Sequence, residues 1–319
     1  METEASLFPR DHWYAILDSR ELRRGKVIGA RRLGVDLAIW RDEAGQAHAT
    51  ADRCPHRGAS LSLGRVRRGC VECPFHGFRF DGAGRCVAAP CNGDELPRHL
   101  DVQAQVLREA HDFVWLWWGE PRASYPELPW FPELDAAYVH AGLLAIETPI
   151  DWMRAVENQL DWAHLPFVHR TTIGVGVAPA MEVGAVVEGD RLDTWQANRV
   201  RPDGTQELKI SLIFPNIWIN PFAGRWQTGM IAFVPIEAGR SRLYVRTYQR
   251  RLGIPGLAGL VSRMTNLFNK IILGQDIRVV RSQPQGPTHE LKDERLVPSD
   301  LAIALFRKEL RRRLKVVSA

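Results

Sequence analysis

Apolar and polar positions alternate along VIGARRLGVDLAIWRDEAGQAHATADR (27–53), and VLREAHDFVWLWWGE (106–120) is rich in aromatic and β-branched residues. Both patterns read as sheet strands. DGAGRC, beginning at Asp81, is a hairpin turn signal. The first ~120 residues are therefore expected to be mostly β. PRASYPELPWFP (121–132) carries four prolines in twelve residues, too many for a helix or a central strand. It reads as a linker, dividing the chain into 1–125 and 126–319. Beyond it a helical segment at 151–168 precedes strand-like runs at 192–200, 208–214, 217–222, 229–236 and 242–250. Helical periodicity returns at 257–283 and 300–316. The expected fold class is α+β: an N-terminal all-β domain, then an α+β domain whose central antiparallel sheet is flanked by helices.

Composition narrows the chemistry. Hydrophobic residues at 45% and charged residues at 25% over 319 positions describe an ordinary globular protein with room for two domains. METEASLFPRDHWYAIL has acidic residues where a secretory leader would be positive, and no apolar run reaches the ~20 residues that span a bilayer. The expectation is a cytoplasmic protein with no membrane span. Five cysteines, Cys54, Cys70, Cys73, Cys86 and Cys91, favour metal or redox chemistry over a disulfide scaffold in that setting. The net charge of +5 is concentrated in 53–85 and in FRKELRRRLK (306–315). In so balanced a chain, solvated helix faces or a docking site for an acidic protein are better readings than nucleic acid, which is not expected as a partner.

CPHRGASLSLGRVRRGCVECPFHGFRFD (54–81) supplies one sulfur and one imidazole from each of two loops, as C-x-H and C-x-x-H. Zinc sites usually pair like ligands within one hairpin. A two-iron centre with thiolates on one iron and imidazoles on the other suits the mixed pattern better. Cys54 and Cys73 are then assigned to one iron, His56 and His76 to the other. Gly58 and Gly77 would let backbone N–H groups approach bridging sulfides. A structural zinc loop is the competing reading, since CVEC is itself a half-site, but it leaves one of five candidate ligands idle. Cys70, Cys86 and Cys91 are expected to be plain thiols.

AVENQLDWAHLPFVHR (155–170) is the second cluster. Asn158, Asp161 and His164 are spaced by three and would share a helix face. Pro166 is expected to bend or end that helix, so that His164 and His169 converge. Two histidines and a carboxylate make the facial triad of non-haem Fe(II) sites. Asp161 is one candidate carboxylate. Asp276 is the better one, because it falls in a stripe with Phe268, Ile272 and Val280, beside Val279, and a carboxylate in apolar surroundings is costly unless paired or metal-bound.

Together these stretches resemble the Rieske non-haem iron oxygenases, terminal-oxygenase (alpha subunit) components of the aromatic ring-hydroxylating or O-demethylating type. The run 54–81 resembles their Rieske domain, ENQLDWAHLPFVH their E/D-N-x-x-D-x-x-H-x4-H motif, and QDIRVVRSQ the region of their third iron ligand. A respiratory-chain Rieske protein would have a further cysteine in each loop, where Ala59 and Phe75 stand. The resemblance implies a 2Fe–2S cluster and a mononuclear Fe(II) held by His164, His169 and Asp276. It implies O2 as co-substrate, a small hydrophobic or aromatic substrate, and a head-to-tail homotrimer. Asp161 would bridge electron transfer between the cluster of one subunit and the iron of the next, and Asn158 would hydrogen-bond near the iron.

No G-x-G-x-x-G opens a helix after a strand, so electrons are expected from a separate ferredoxin or NAD(P)H-dependent reductase. Arg53, Arg57, Arg65, Arg67, Arg68 and Arg79 could receive an acidic ferredoxin. Leu212, Phe214, Ile217, Trp218 and Phe233 are candidate cavity residues, and the basic tail is expected to pack through Leu301, Leu305, Leu310 and Leu314. The short hydroxylating or demethylating groups, such as those acting on dicamba, vanillate and pheophorbide, are the nearest in kind. A cis-dihydroxylating dioxygenase is the alternative within the family, and an electron-transfer protein or zinc-binding interaction module the alternatives outside it.

Overall fold

The computed structural model describes residues 7–315 apart from 94, 97, 138, 198–207, 223–225 and 251–256. The chain divides into two compact units, Asp11–Tyr125 and Pro126–Ala319, the latter joined by Ser6–Arg10.

The first unit is all β. Its strands are β1 (His12–Asp18), β2 (Lys26–Arg32), β3 (Val35–Arg41), β4 (Ala47–Ala51), β5 (Arg65–Arg67), β6 (Cys70–Glu72), β7 (Arg79–Phe80), β8 (Cys86–Ala88), β9 (Ala104–Gln105), β10 (Leu107–Ala110) and β11 (Phe113–Trp118). They form sheets of order β1-β11-β10, β2-β3-β4-β9 and β5-β6-β7-β8. The stretch 106–120, whose composition predicts a strand, is a hairpin: His111 and Asp112 have φ of 54° and 59°, and Leu107 pairs with Leu116. Two successive left-handed residues make the turn that suits strand twist, and His-Asp announces it far less clearly than Asn-Gly. The loops between β4 and β5 and between β6 and β7 carry Cys54 and Cys73, which join Trp40, Leu61, Val71 and Phe80 in one buried cluster.

In the second unit a short helix α1 (Pro132–Ala137) is followed by β12 (Val139–Thr148), α2 (Trp152–Leu160) and α3 (Leu165–Val168). Then come β13 (Val183–Glu188), β14 (Arg191–Gln196), β15 (Lys209–Ile213), β16 (Ile217–Phe222), β17 (Gln227–Glu237) and β18 (Arg240–Gln249). Helices α4 (Leu257–Val280) and α5 (Leu301–Lys315) follow. The sheet has the order β12-β18-β17-β16-β15-β14-β13, every neighbouring pair antiparallel. Its edge strands β12 and β13 are not among the strands that the sequence pattern predicts.

Register assigns the faces of this sheet. Leu144, Val245, Ile231, Trp218 and Leu212 form one cross-strand row. Two residues along on the same face, Asn269 of α4 donates to Thr247 Oγ1 (3.5 Å). Gln227 donates to Thr265 (3.5 Å) and Trp162 to Thr194 (3.2 Å), so this face carries the helices. Ile217 lies in the opposite row with Ala232 and Tyr244, and Phe214 stacks on Phe306 of α5 at 5.6 Å. Ile217 therefore does not line the helix side of the sheet as expected, whereas Phe214 meets a helix there but is covered by α5. A one-residue step along a strand reverses the face, and the apolar run around 217 does not reveal which residue points where.

Helix α5 packs through Ala302, Ile303, Phe306 and Leu310, while Leu301 is 38% exposed. Two arginines of the basic tail are buried rather than solvated: Arg307 with Glu157 and Glu294, and Arg313 with Glu309 and Asp190. Glu157 accepts from Arg307 Nε (2.7 Å) and Nη2 (2.9 Å) and from Arg154 Nη1 (3.1 Å), and Arg154 also pairs with Glu294. Burial disfavours the Arg307 charge, but these carboxylates outweigh it and hold its pKa above the usual value. Glu157→Gln would leave two buried guanidinium groups short of charge, and a loss of about 3–5 kcal/mol in urea unfolding is predicted. A loss below about 1 kcal/mol would contradict that reading of the network. No helix among the described residues is long and apolar enough to cross a membrane.

Candidate functional sites

The two loops of the first unit are built alike. Cys54 N–H donates to Ala59 O (2.8 Å) and Gly58 N–H to Cys54 O (2.9 Å); Cys73 N–H donates to Phe78 O (2.8 Å) and Gly77 N–H to Cys73 O (3.1 Å). Gly58 and Gly77 have φ of 78° and 73°, the left-handed region that side chains resist. Their own N–H groups close the turns, so within the protein it is backbone conformation that calls for glycine.

Cys54 and Cys73 are each 2% exposed, His56 is exposed and His76 half-buried. The imidazole centroids are 4.7 Å apart. Burial pushes the Cys54 thiol up to about 11; the N–H groups of His56 and Arg57 pull it down, and neighbouring Cys73 pushes it up again. A thiol so placed ionises readily only against a cation. Buried sulfurs and outward imidazoles fit a cluster with an inner thiolate-held iron and an outer imidazole-held one. Cys70 and Cys86 direct their sulfurs to backbone carbonyls, Arg68 O (3.5 Å) and Ala88 O (3.7 Å).

Among the described residues, the one group of three or more His, Cys, Asp or Glu side chains that converges on a point is His164, His169 and Asp276, whose ligand atoms lie within 4.8 Å of one another. The four cysteine and histidine residues of the first unit do not gather in this way, as a single zinc ion would require.

The local fold around the triad differs from the expected kinked helix. Helix α2 stops at Leu160; Asp161 is extended (φ −83°, ψ 120°) and its Oδ1 accepts from Ala163 N–H (2.7 Å). An aspartate can trade a helical hydrogen bond for this local turn. His164 then precedes α3, and Pro166 sits within that helix's first turn, where its missing donor costs nothing. Asn158, Asp161 and His164 therefore do not share a helix face. The buried stripe of α4 holds Leu273, Asp276 and Val280, whereas Phe268 (44%) and Val279 (38%) are exposed.

Asp276 is 4% exposed, and its Oδ1 lies 2.9 Å from His169 Nε2 and 3.6 Å from His164 Nε2 without a hydrogen-bond partner. A buried carboxylate oxygen aimed between two ring nitrogens is the donor set that a divalent metal satisfies. His169 Nδ1 meets Gln275 Oε1 at 2.8 Å, and Thr172 Oγ1 donates to the same oxygen (2.9 Å). A carbonyl oxygen only accepts, so His169 carries its proton on Nδ1 and turns the Nε2 lone pair to the triad. Burial works against a proton on this ring, yet Asp276 and Gln275 outweigh it and hold its pKa above the ordinary value. His164 Nδ1 sits 3.5 Å from Asp161 Oδ2. The side chain bonded to Asp276 Oδ2 is Gln159 (3.5 Å), not Asn158. The sequence does not single out Gln159 or Gln275; being next to a candidate site residue, Asn158 or Asp276, is the only signal, and it does not say which neighbour turns inward.

The fold and these sites define an architecture: a β domain with paired Cys/His loops, followed by a helix-grip-like domain that carries a two-histidine, one-carboxylate cluster. Residues 12–106 match the Rieske [2Fe-2S] domain family, and the chain carries that domain. The whole chain shares the fold of dicamba monooxygenase bound to dicamba (TM-score 0.79, 22% identity, 98% of this chain and 99% of that one). It likewise shares the fold of Pseudomonas putida CBB5 NdmA (TM-score 0.81, 18% identity, 99% and 93%). In sequence it is similar to the dicamba O-demethylase oxygenase component of Stenotrophomonas maltophilia, 32% identical over 203 residues (63% of this chain, 58% of that protein). It is also similar to chlorophyllide a oxygenase of Chlamydomonas reinhardtii, 35% identical over 178 residues (55% and 26%). The chain spans about half the length, or less, of the curated relatives it matches first.

Proposed function

We propose that this chain is the terminal oxygenase of a multicomponent system, using O2 and electrons from a separate ferredoxin or NAD(P)H-dependent reductase to hydroxylate or demethylate a small hydrophobic, aromatic substrate in the cytoplasm. The observation that carries the proposal is the unpartnered Asp276 Oδ1 facing His164 and His169 in a chain that also bears a Rieske domain. In this reading 1–125 is the electron relay, with Cys54, His56, Cys73 and His76 holding the 2Fe–2S cluster. Residues 126–319 form the catalytic domain, with His164, His169 and Asp276 holding the mononuclear iron. Bound there, Fe(II) would supply oxygen activation, with the second electron coming from the cluster.

The protein's own groups have distinct parts. Gln275 fixes the His169 tautomer, Gln159 holds Asp276 Oδ2 so that Oδ1 is presented, and Asp161 stands behind His164 Nδ1. The outward imidazoles of the cluster loops and the partly exposed Asp161 side chain (23%) suit a head-to-tail homotrimer, in which the cluster loops of one subunit reach Asp161 of the next.

Of the six arginines near the cluster, Arg65, Arg67 and Arg79 share Glu72 (2.7, 3.4 and 3.9 Å), and Arg57 lies 5.5 Å from the Phe75 ring. One carboxylate among three guanidinium groups leaves the patch positive. Reversing Arg67 and Arg68 to glutamate is predicted to raise the Michaelis constant for an acidic ferredoxin about five-fold or more at low salt, with the difference shrinking as salt is added. An unchanged constant would remove the docking role.

The oxygenase reading is tested by single turnover of reduced protein under 18O2 with a panel of methoxyarenes and bicyclic arenes. One labelled atom per product, or loss of a methyl as formaldehyde, supports it. Two labelled atoms would assign dihydroxylation, as for the similar Comamonas testosteroni 3-chlorobenzoate-3,4-dioxygenase subunit. No oxygenated or demethylated product from protein with both metals loaded would contradict it.

A further inference from the structure

The helix-facing side of the large sheet differs from its other side in charge. Arg191, Asp193, Lys209, Arg242, Arg246 and Glu147 all occupy the face away from α2 and α4, by alternation and pairing register. No helix-facing position of the described strands β12 and β14–β18 is charged. Of the buried charges that the nearby helices add, the cations Arg154 and Arg307 are matched by Glu157 and Glu294, and Asp151 and Asp276, which no guanidinium or ammonium group among the described residues matches, are anions.

That neutral face instead holds hydrogen-bonding groups that lack partners. Trp218 (4% exposed) leaves Nε1–H unpaired, Gln249 (2% exposed) leaves both ends of its amide unpaired, and Asn220 leaves Oδ1 buried and unpaired. Asn220 follows Trp218 by two on β16, and so points the same way. Gln249 follows Thr247 by two on β18, the residue to which Asn269 of α4 is bonded. Helix α4 runs alongside β18 with Thr265 level with Gln227, Asn269 level with Thr247, and Asp276 further toward the other end of the strand. From Asn269 to Asp276 is seven residues, about 10 Å of helix at 1.5 Å per residue. The row Leu144, Val245, Ile231, Trp218 and Leu212 lies between the amide groups and the triad, and it is apolar but for the Trp218 N–H.

Resting on the oxygenase reading and deepening it, we infer that the substrate is an uncharged, at least bicyclic arene whose lactam- or amide-like head lies at the level of Asn220 and Gln249, about 10 Å along the sheet from the carbon that reacts, with Trp218 reaching it from the intervening row. Trp218 Nε1–H donates to the head's carbonyl, Asn220 Oδ1 accepts from its N–H, and the Gln249 amide can do either. A carboxylate head would find no cation on this face to replace its hydration.

The test is equilibrium dialysis of anaerobic, metal-loaded holoenzyme against naphthalene, 2-quinolone and 2-naphthoate at pH 7. The lactam is expected to bind about 10-fold more tightly than either of the others. Asn220→Leu, Gln249→Leu and Trp218→Phe, the last keeping an aromatic ring while deleting the N–H, are each expected to lose most of that preference, with naphthalene binding changed less than about two-fold. Three affinities within a factor of about two, tightest binding of the naphthoate, no binding of any probe, or variants that weaken all three alike would each overturn the assignment. Binding is read without turnover and iron is assayed in every variant. Failure of this assignment is thus a loaded protein with no lactam preference, whereas failure of the oxygenase reading is a protein that holds no second-site iron.

Discussion

Asp276→Ala will yield a protein with its cluster intact, its second iron missing and its oxygenase turnover at background. The replaced oxygen is buried and lies 2.9 and 3.6 Å from two imidazole nitrogens. Without it, two neutral rings remain, which hold divalent iron far less well than a site with an anionic ligand. Iron content is expected to fall from about three to about two per chain with sulfide unchanged at about two. Because Asp276 Oδ2 also accepts from Gln159, Gln159→Leu serves as the graded control. It keeps the ligands and loosens the carboxylate, for an expected loss of about 10-fold in iron affinity. Full iron content and activity in Asp276→Ala would show that the carboxylate is structural.

Asp161→Asn is the second large effect, and of a different kind. Its Oδ1 closes a turn on Ala163 N–H, a bond that asparagine can keep, while Oδ2 faces His164 Nδ1 at 3.5 Å. Asparagine preserves shape and removes the charge that supports the ring and, in the trimer we propose, the acceptor presented to a neighbouring cluster loop. Both metals should therefore remain, and coupled turnover should fall by about 100-fold or more. The diagnostic is a mismatch: cluster reduction at the normal rate, followed by cluster reoxidation by O2 and substrate that is slowed to the same extent as turnover. Equal loss of iron and activity would instead make Asp161 a support for His164 alone.

The candidate site residues are legible in the sequence because their types and spacings are rare in ordinary loops. Cys54, His56, Cys73 and His76 in two glycine-closed turns, and His164 with His169 in one short segment, stand out on spacing; Asp276, which the fold brings within 4.8 Å of those two histidines, stands out only as a carboxylate among apolar neighbours. Helix α4 and the inner strands follow from periodicity, which tertiary packing reinforces there. Three things are hidden for physical reasons. The end of α2 at Asp161 depends on a side chain competing with the helix for one backbone donor, a contest of about 1 kcal/mol that spacing does not record. Gln159 and Gln275 gain their roles only from partners 117 and 106 positions away. The side of the sheet on which Ile217 and Trp218 fall turns on a register of one residue in an apolar run.

The most direct test of the central claim is iron, zinc and acid-labile sulfide analysis of anaerobically purified protein, together with its EPR spectrum after dithionite reduction. About three irons and two sulfides per chain, no zinc, and the signal of a reduced two-iron cluster are predicted. Zinc in place of iron, or a chain whose iron stops at the cluster's two while His164, His169 and Asp276 hold none, would contradict it.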